Sequence, residues 1–407
     1  MRTTLLIPDR PLASIGSSVL RYAVRAAATI TQSAIIAGSG MVAPPNVAPT
    51  PDGSALIRTD QWHLRYLDTI DAHRITRGRG VTIAVPDTGV DPHPDLRKNL
   101  LSGIDIIPGG NGSGKRDLDS HGTAMAGLIA AHGQHNEVGA LGIAPEAKIL
   151  PIFSSPPNGD GDPDALAQGI EFAIDTGVDI ISVSSGGSSS RRLIEAVKRA
   201  CASNIVVVAA AGNSPEDTGV TYPASEDGVI AVGGIDRNGN HATISVTGTG
   251  IDLTAPAVDI YSTSYGGKYS KGTGTSSATA IVAGAAALVR SKYPDLPASE
   301  VVHRLTATAI DKGPPGRDDE YGYGVLDLVA ALTADVPPLG FESTTAGAPG
   351  AGGPTTTVVA EPADDGDDGS TARGLATLGV IVAAAGAWAL VARRRRLSDD
   401  PPPRISR

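Results

Sequence analysis

Apolar positions along the middle of the chain follow two alternating patterns. Short β-branched runs at 81–85 (VTIAV), 180–183 (IISV) and 205–211 (IVVVAAA) carry almost no polar position, as strands covered on both faces require. Between and after them, apolar residues recur at helical spacing over 121–131, 165–176, 191–202 and 277–292. Residues 86–89 (PDTG) stop the first run and Gly212 stops the third. Buried strands alternating with helices, without internal repeat, predict an α/β three-layer sandwich around a mostly parallel central sheet, spanning about 59–332.

The two ends break this pattern. Residues 374–392 (GLATLGVIVAAAGAWALVA) form an uncharged run of 19 residues, about 28 Å as a helix, and four arginines follow at 393–396. This predicts one C-terminal transmembrane helix, with Trp388 as interfacial anchor and the basic tail 393–407 in the cytoplasm; everything before 374 is then extracytoplasmic. At the other end, Arg21 and Arg25 precede a charge-free, small-residue stretch, so 1–43 reads as a signal-like leader. Residues 44–58 read as a short irregular extension, and 333–373, rich in Pro, Gly and Thr with an acidic cluster, as a flexible stalk.

Composition narrows the function. A net charge of −10 argues against non-specific nucleic-acid binding, which needs basic surface to neutralise phosphates, so no nucleic-acid partner is expected. The single cysteine, Cys201, rules out an internal disulfide and any multi-cysteine zinc site; on a helix rich in Ala and Val it reads as a small core residue. Of the 50 glycines, 36 lie between residues 59 and 336, so linkers are not their source. They cluster instead in connections after strands, where open α/β sheets bind ligands.

Three short segments in those connections carry candidate chemistry: Asp87 in VPDTGVD, His121 in DSHGTAMAG and Ser276 in GTGTSSATA. Singly, none is specific. Together they place an Asp after a buried strand and a His and a Ser at helix starts, in an order known for one type of Asp-His-Ser triad. A serine hydroxyl needs a neutral imidazole to take its proton, and the imidazole needs a carboxylate on its other nitrogen. A helix N-terminus under Ser276 favours developing negative charge. Asn213, where AAAGN ends a buried strand, offers a side-chain amide donor for an oxyanion hole.

With these residues in place, the stretch 59–332 resembles the subtilisin-like serine proteases, the subtilases. GIAPEAKILPI (142–152), DIISVSSGG (179–187), YPAS (222–225), VIAVGG (229–234), LTAP (253–256) and YGYGVLD (321–327) extend the resemblance. It implies a serine endopeptidase in which Asp87, His121 and Ser276 are catalytic, Ser276 the nucleophile and Asn213 the oxyanion donor. It further implies that Ser184, Ser185, Gly186, Ala210 and Gly212 flank an extended peptide or protein substrate by backbone pairing. The layout is similar to the mycosins, membrane-anchored subtilases of actinobacterial type VII secretion, through the short extension, the segment DLDSHGT, the stalk and the C-terminal helix with arginines. That similarity implies type VII secretion machinery as partner. The chain departs from the mycosin pattern in lacking disulfide cysteines, and from the usual subtilase motifs in Ala280 and Ala124. Residues 44–58 are too short to fold as a prodomain, so either the enzyme is not a conventional zymogen or the extension packs on the catalytic domain.

Other candidates are weaker. His132 and His135 read as a solvated helix end, with no HExxH. Subtilases often bind calcium, but Asp160, Asp162 and Asp164 lack the terminal Glu of an EF-hand loop and read as an acidic surface loop, so no cofactor or metal site is assigned. An aspartic protease using Asp87 needs a second DTG-like segment, which is missing. A catalytically silent secretion component and a generic degradative cell-surface subtilase remain as rivals.

Overall fold

The computed structural model describes residues 53–340, apart from 135–136 and 158–160. The central sheet is built from β1 (Thr82–Asp87), β2 (Ile104–Asp105), β3 (Lys148–Phe153), β4 (Ile180–Val183), β5 (Val206–Ala210), β6 (Val229–Ile235) and β7 (Leu253–Pro256), in the order β2-β3-β1-β4-β5-β6-β7. All neighbours in it are parallel. Alternation decides the layers. Ile83 and Val85 of β1, Val206 and Val208 of β5 and Ile230 and Val232 of β6 join one core, while Ala84, Val207, Ala209 and Ala231 join the other. Fully burying such side chains contributes roughly 1.5–3 kcal/mol for each large one.

The first core is covered by α4 (His121–Ala130), α7 (Thr275–Lys292), α8 (Ala298–Ala307) and α9 (Leu328–Thr333), and the second by α5 (Pro163–Thr176) and α6 (Arg191–Ala202). This is the expected α/β sandwich. Helix α7 is buried from Ser277 through Arg290, and its alanines and glycine let it approach closely: a Cβ on Gly284 would press on Ile143. Three helices are capped by side chains, Asp162 accepting from the Asp164 N–H at α5, Ser190 from the Leu193 N–H at α6 and Asp327 from the Ala330 N–H at α9. Strands β8 (Ile260–Ser264) and β9 (Lys268–Gly272) form a separate antiparallel hairpin.

Three boundaries differ from the sequence expectation. Strand β1 runs through Pro86 to Asp87, because Pro86 pairs with Ile152 and Asp87 with Phe153 on β3, and the Asp87 carbonyl accepts from the Ser154 N–H. The segment read as an irregular extension becomes helical from Gly53, in α1 (Gly53–Asp60), followed by α2 (Trp62–Tyr66) and α3 (Thr69–Ile75). The reason is tertiary: Ile57 is buried with Ala131 and Ala140 beneath Tyr261 and Tyr269 of the hairpin, and Arg58 Nε donates to the Gly139 carbonyl at 3.0 Å. Likewise the first residues assigned to the stalk are docked, since His303 bonds the Pro337 carbonyl (3.0 Å) and the Leu339 N–H donates to Glu300 (2.9 Å). Among the described residues no helix is long and apolar enough to cross a membrane. The leader, the rest of the stalk, the run 374–392 with Trp388, and the tail lie outside the described residues.

Candidate active site

The site forms at the carboxyl ends of the strands, beside β1, where the chain, having placed β2 and β3 on one side of that strand, continues with β4 on the other. Asp87 is the last residue of β1 and His121 the first of α4. Two glycines let these ends meet. Gly89 has φ +86° and leaves no room for a Cβ against the Arg116 carbonyl, and a Cβ on Gly122 would land on the Gly89 carbonyl oxygen. His121 Nδ1 consequently lies 2.8 and 2.9 Å from the two Asp87 carboxylate oxygens. Asp87 is 4% exposed and the His121 side chain 36% exposed, so one edge of the ring faces solvent while the other is paired. Asp87 lifts the His121 imidazole well above its ordinary range, to about 9, against the opposing effect of burial; Asp119 and Asp117 add to the lift.

Ser276 sits in the first turn of α7, reached through Gly274 at φ +157°. The Thr275 N–H is taken by Asn213 Oδ1 at 2.9 Å, and the Thr275 hydroxyl donates to the same oxygen at 3.2 Å. This fixes the Asn213 amide and leaves its Nδ2 as the donor for the cleft. The Asn213 N–H is in turn held by Asp217 at 2.7 Å. His121, Asn213 and Ser276 line one cavity of about 400 Å³, closed by Met125, Leu128 and Ile260. The Ser276 hydroxyl donates to the Ser184 carbonyl at 2.8 Å; among the described residues no hydrogen bond joins it to His121.

The expected substrate-flanking residues divide. Ser185 and Gly186 line a neighbouring hollow of about 270 Å³ with Leu166, Leu193 and Tyr222. Ser184 is buried against α7, its hydroxyl 3.3 Å from the Ser276 carbonyl. Ala210 is buried and paired with Val232 in the sheet, and the Gly212 carbonyl accepts from the Thr275 hydroxyl. The hairpin contribution to the cleft, Ser270 to Gly272, escaped the sequence reading. Its signal was the alternation of IYSTS and KYSKG around Tyr-Gly-Gly. A larger cavity of about 550 Å³, at the amino ends of β5 and β6, holds none of these residues; half-buried Cys201 lines it, with its thiol pushed up by burial and Glu226.

The acidic loop is engaged in helix capping. Besides the Asp162 cap, Asp164 accepts from the Ser190 hydroxyl, and Asp160 lies outside the described residues. Among the described residues no cluster of three His, Cys, Asp or Glu that could hold a metal ion occurs. His132 bonds the Gly133 carbonyl, and His135 is not described.

A buried strand-end carboxylate paired to a histidine, with a helix-start serine and an amide donor in one cleft, defines a hydrolase-type site on a parallel α/β sheet. The model of the Subtilase family matches residues 78–324, and the chain belongs to that family of serine endopeptidases. It is 40% identical over 271 residues to a thermostable alkaline protease of Halalkalibacterium halodurans, covering 66% of this chain and 72% of the relative. It is 38% identical to Subtilisin Savinase of Lederbergia lenta, covering 66% and 97%. Among solved structures it is similar to MycP1 from Mycobacterium smegmatis, with a TM-score of 0.60 and 29% identity, covering 68% of this chain and 85% of that one. It is also similar to MycP3 protease from the type VII (ESX-3) secretion system, with a TM-score of 0.58 and 32% identity, covering 67% and 88%. Its structural neighbours thus include the mycosins.

Proposed function

We propose that this protein is a membrane-anchored, extracytoplasmic serine endopeptidase of mycosin type that works beside a type VII secretion machinery. In this reading His121, oriented by Asp87 through Nδ1, takes the Ser276 proton on Nε2, and the hydroxyl oxygen attacks the scissile carbonyl. The Asn213 amide and the Ser276 N–H, which has no acceptor within the first helical turn, receive the oxyanion. His121 then protonates the leaving amine, and water hydrolyses the acyl-enzyme. The Ser276 hydroxyl must first leave the Ser184 carbonyl by rotating between staggered wells about Cα–Cβ. A peptide lying along 184–186 and 210–212 and pairing with the Ser184 carbonyl would take over that acceptor and release the hydroxyl.

The observation that carries the catalytic part is the meeting of the Asp87–His121 pair, Ser276 and Asn213 around one cleft. A fluorophosphonate probe tests it: the intact chain is labelled and Ser276→Ala is not. Equal labelling of both would sink Ser276 as nucleophile. The secretion role rests on the likeness to MycP1 and MycP3, one of which is described as an essential component of the ESX-1 type VII system. The membrane part rests on the run 374–392 and its arginines; proteolysis of intact cells is expected to digest the region before 374, and its protection would overturn the topology.

A second reading, a degradative cell-surface protease, is favoured by one observation: sequence identity to the alkaline proteases, 38–40%, exceeds that to MycP1 and MycP3. Chromosomal Ser276→Ala or deletion of the whole chain separates the two. Loss of type VII export on deletion supports the first reading, and intact export with lost casein hydrolysis supports the second.

A further inference from the structure

Asp117 lies four residues before His121, 2% exposed, in the loop that feeds α4. Its Oδ1 accepts from the Thr88 hydroxyl (3.0 Å) and from the N–H groups of Asp119 (2.8 Å) and Ser120 (3.0 Å). Its Oδ2 accepts from the N–H (2.9 Å) and hydroxyl (2.6 Å) of Thr123. Both sides of His121 are therefore tied to one buried carboxylate.

Thr88 extends the link to the other member of the pair. Its hydroxyl donates to Asp117 and accepts from the Gly122 N–H at 3.0 Å, while its own N–H donates to Asp87 Oδ1 at 2.7 Å. The Thr123 hydroxyl meanwhile accepts from the Asp91 N–H at 2.9 Å, fastening the loop after β1 as well. Between these anchors Ser120 adopts φ +101°, a conformation that a non-glycine residue keeps only when its surroundings over-determine it. The surroundings here are Asp117 on its N–H and Ser264 of β8 on its hydroxyl, at 2.9 Å. Released from Asp117, the turn has reason to relax, and the residue it delivers is His121.

We infer that Asp117 is a positioning residue of the protease, fixing the His121 ring against Asp87 through Ser120 and Thr88 without touching substrate. The inference rests on the reading of Asp87, His121 and Ser276 as the triad. Catalytic geometry is steep: a misplacement of about 1 Å can cost on the order of 100-fold. A role confined to stabilising the loop would lower the melting temperature and leave kcat of the folded enzyme alone.

The test uses the full-length chain and a chromogenic peptide anilide, with kcat and KM measured separately at a temperature where each variant is folded by circular dichroism. Asp117→Asn keeps one acceptor but turns an NH2 against the N–H groups of Thr123 or of Asp119 and Ser120; kcat is expected to fall about 10- to 100-fold with KM within about twofold. Thr88→Val keeps the shape and the N–H to Asp87 but removes the bridging hydroxyl, and kcat is expected to fall about tenfold. Thr88→Ser restores the hydroxyl and most of kcat. Should Asp117→Asn fail to fold, the Thr88 pair decides alone. Unchanged kcat in the variants, a loss confined to KM, or Thr88→Ser as poor as Thr88→Val would each overturn the inference. Ser276→Ala is run alongside: activity retained there removes the triad and this inference together, whereas activity lost there with wild-type kinetics at Asp117 and Thr88 removes this inference alone.

Discussion

The two halves of the site are built differently. Around Asp87 and His121 nearly every polar contact is made before substrate arrives: the carboxylate is buried, the ring is paired at 2.8 Å, and the loops on both sides are fastened to Asp117. Around Ser276 the backbone is equally fixed, by Asn213 on the Thr275 N–H, yet the Ser276 hydroxyl rests on the Ser184 carbonyl, away from His121. The difference teaches where reorganisation is tolerated. Swinging one hydroxyl between rotamers is a small motion of an uncharged group, whereas re-aiming a half-buried imidazole and its carboxylate would move charge through a desolvated site, so that pair is held in advance.

The largest test of this contrast removes the mobile group. Ser276→Ala should lower kcat about 10⁶-fold and leave the melting temperature nearly unchanged; active-site kinetics on purified protein check it, and residual activity near wild type would break the assignment. Attack on the rigid half comes next: Asp87→Asn should cost about 10⁴-fold in kcat by leaving His121 in the wrong tautomer, with KM almost unaltered. A loss confined to KM would mean that the pair binds and does not catalyse. Third, Asn213→Ala should cost about 10²- to 10³-fold in kcat, the amount expected for one oxyanion donor. Because Asn213 also caps the Thr275 N–H, a modest drop in melting temperature should accompany it; a drop in stability with kcat intact would leave only the capping role.

The mildest probe is pH. His121 must be neutral to accept a proton, and its pKa is raised to about 9, so kcat/KM should rise tenfold per unit on the acid side and level off only above the ordinary histidine value of 6.5, towards 9. A limb at or below 6.5 would show that the Asp87 pairing is weaker in solution. Stability runs the other way. A raised folded-state pKa adds stability that is fully present below the unfolded value near 6.5 and is lost as pH rises through about 9. Denaturant midpoints of the wild type and Asp87→Asn should therefore converge as the pH is taken above 9.

Much of this site was legible before any fold was known. The apolar runs at 180–183 and 205–211 are long enough and pure enough to read as covered strands, and α6 has the bounds its pattern predicts, with Ser190 as cap. Asp87, His121, Asn213 and Ser276 were found from their punctuation at strand ends and helix starts. Other features were not readable. Residues 53–60 have no strong period of their own; they are helical because Ile57 finds Tyr261 and Tyr269, about 200 residues away. The hairpin that walls the cleft shares its short alternation with many loops, and its tie from Tyr269 to Asp95, at 2.7 Å, is long-range.

The sequence by itself determined the chemistry and the layers: which residues can take, give or hold a proton, and which runs must be covered on both faces, since these follow from side-chain type and local period. Only the tertiary structure decided the geometry. That Asp117 reaches Thr88, that Gly122 packs on the Gly89 carbonyl, and that the Ser276 hydroxyl rests on Ser184 all depend on backbones separated in the chain coming together. Such contacts are selected by the packing of whole elements, and no local pattern of residues encodes them.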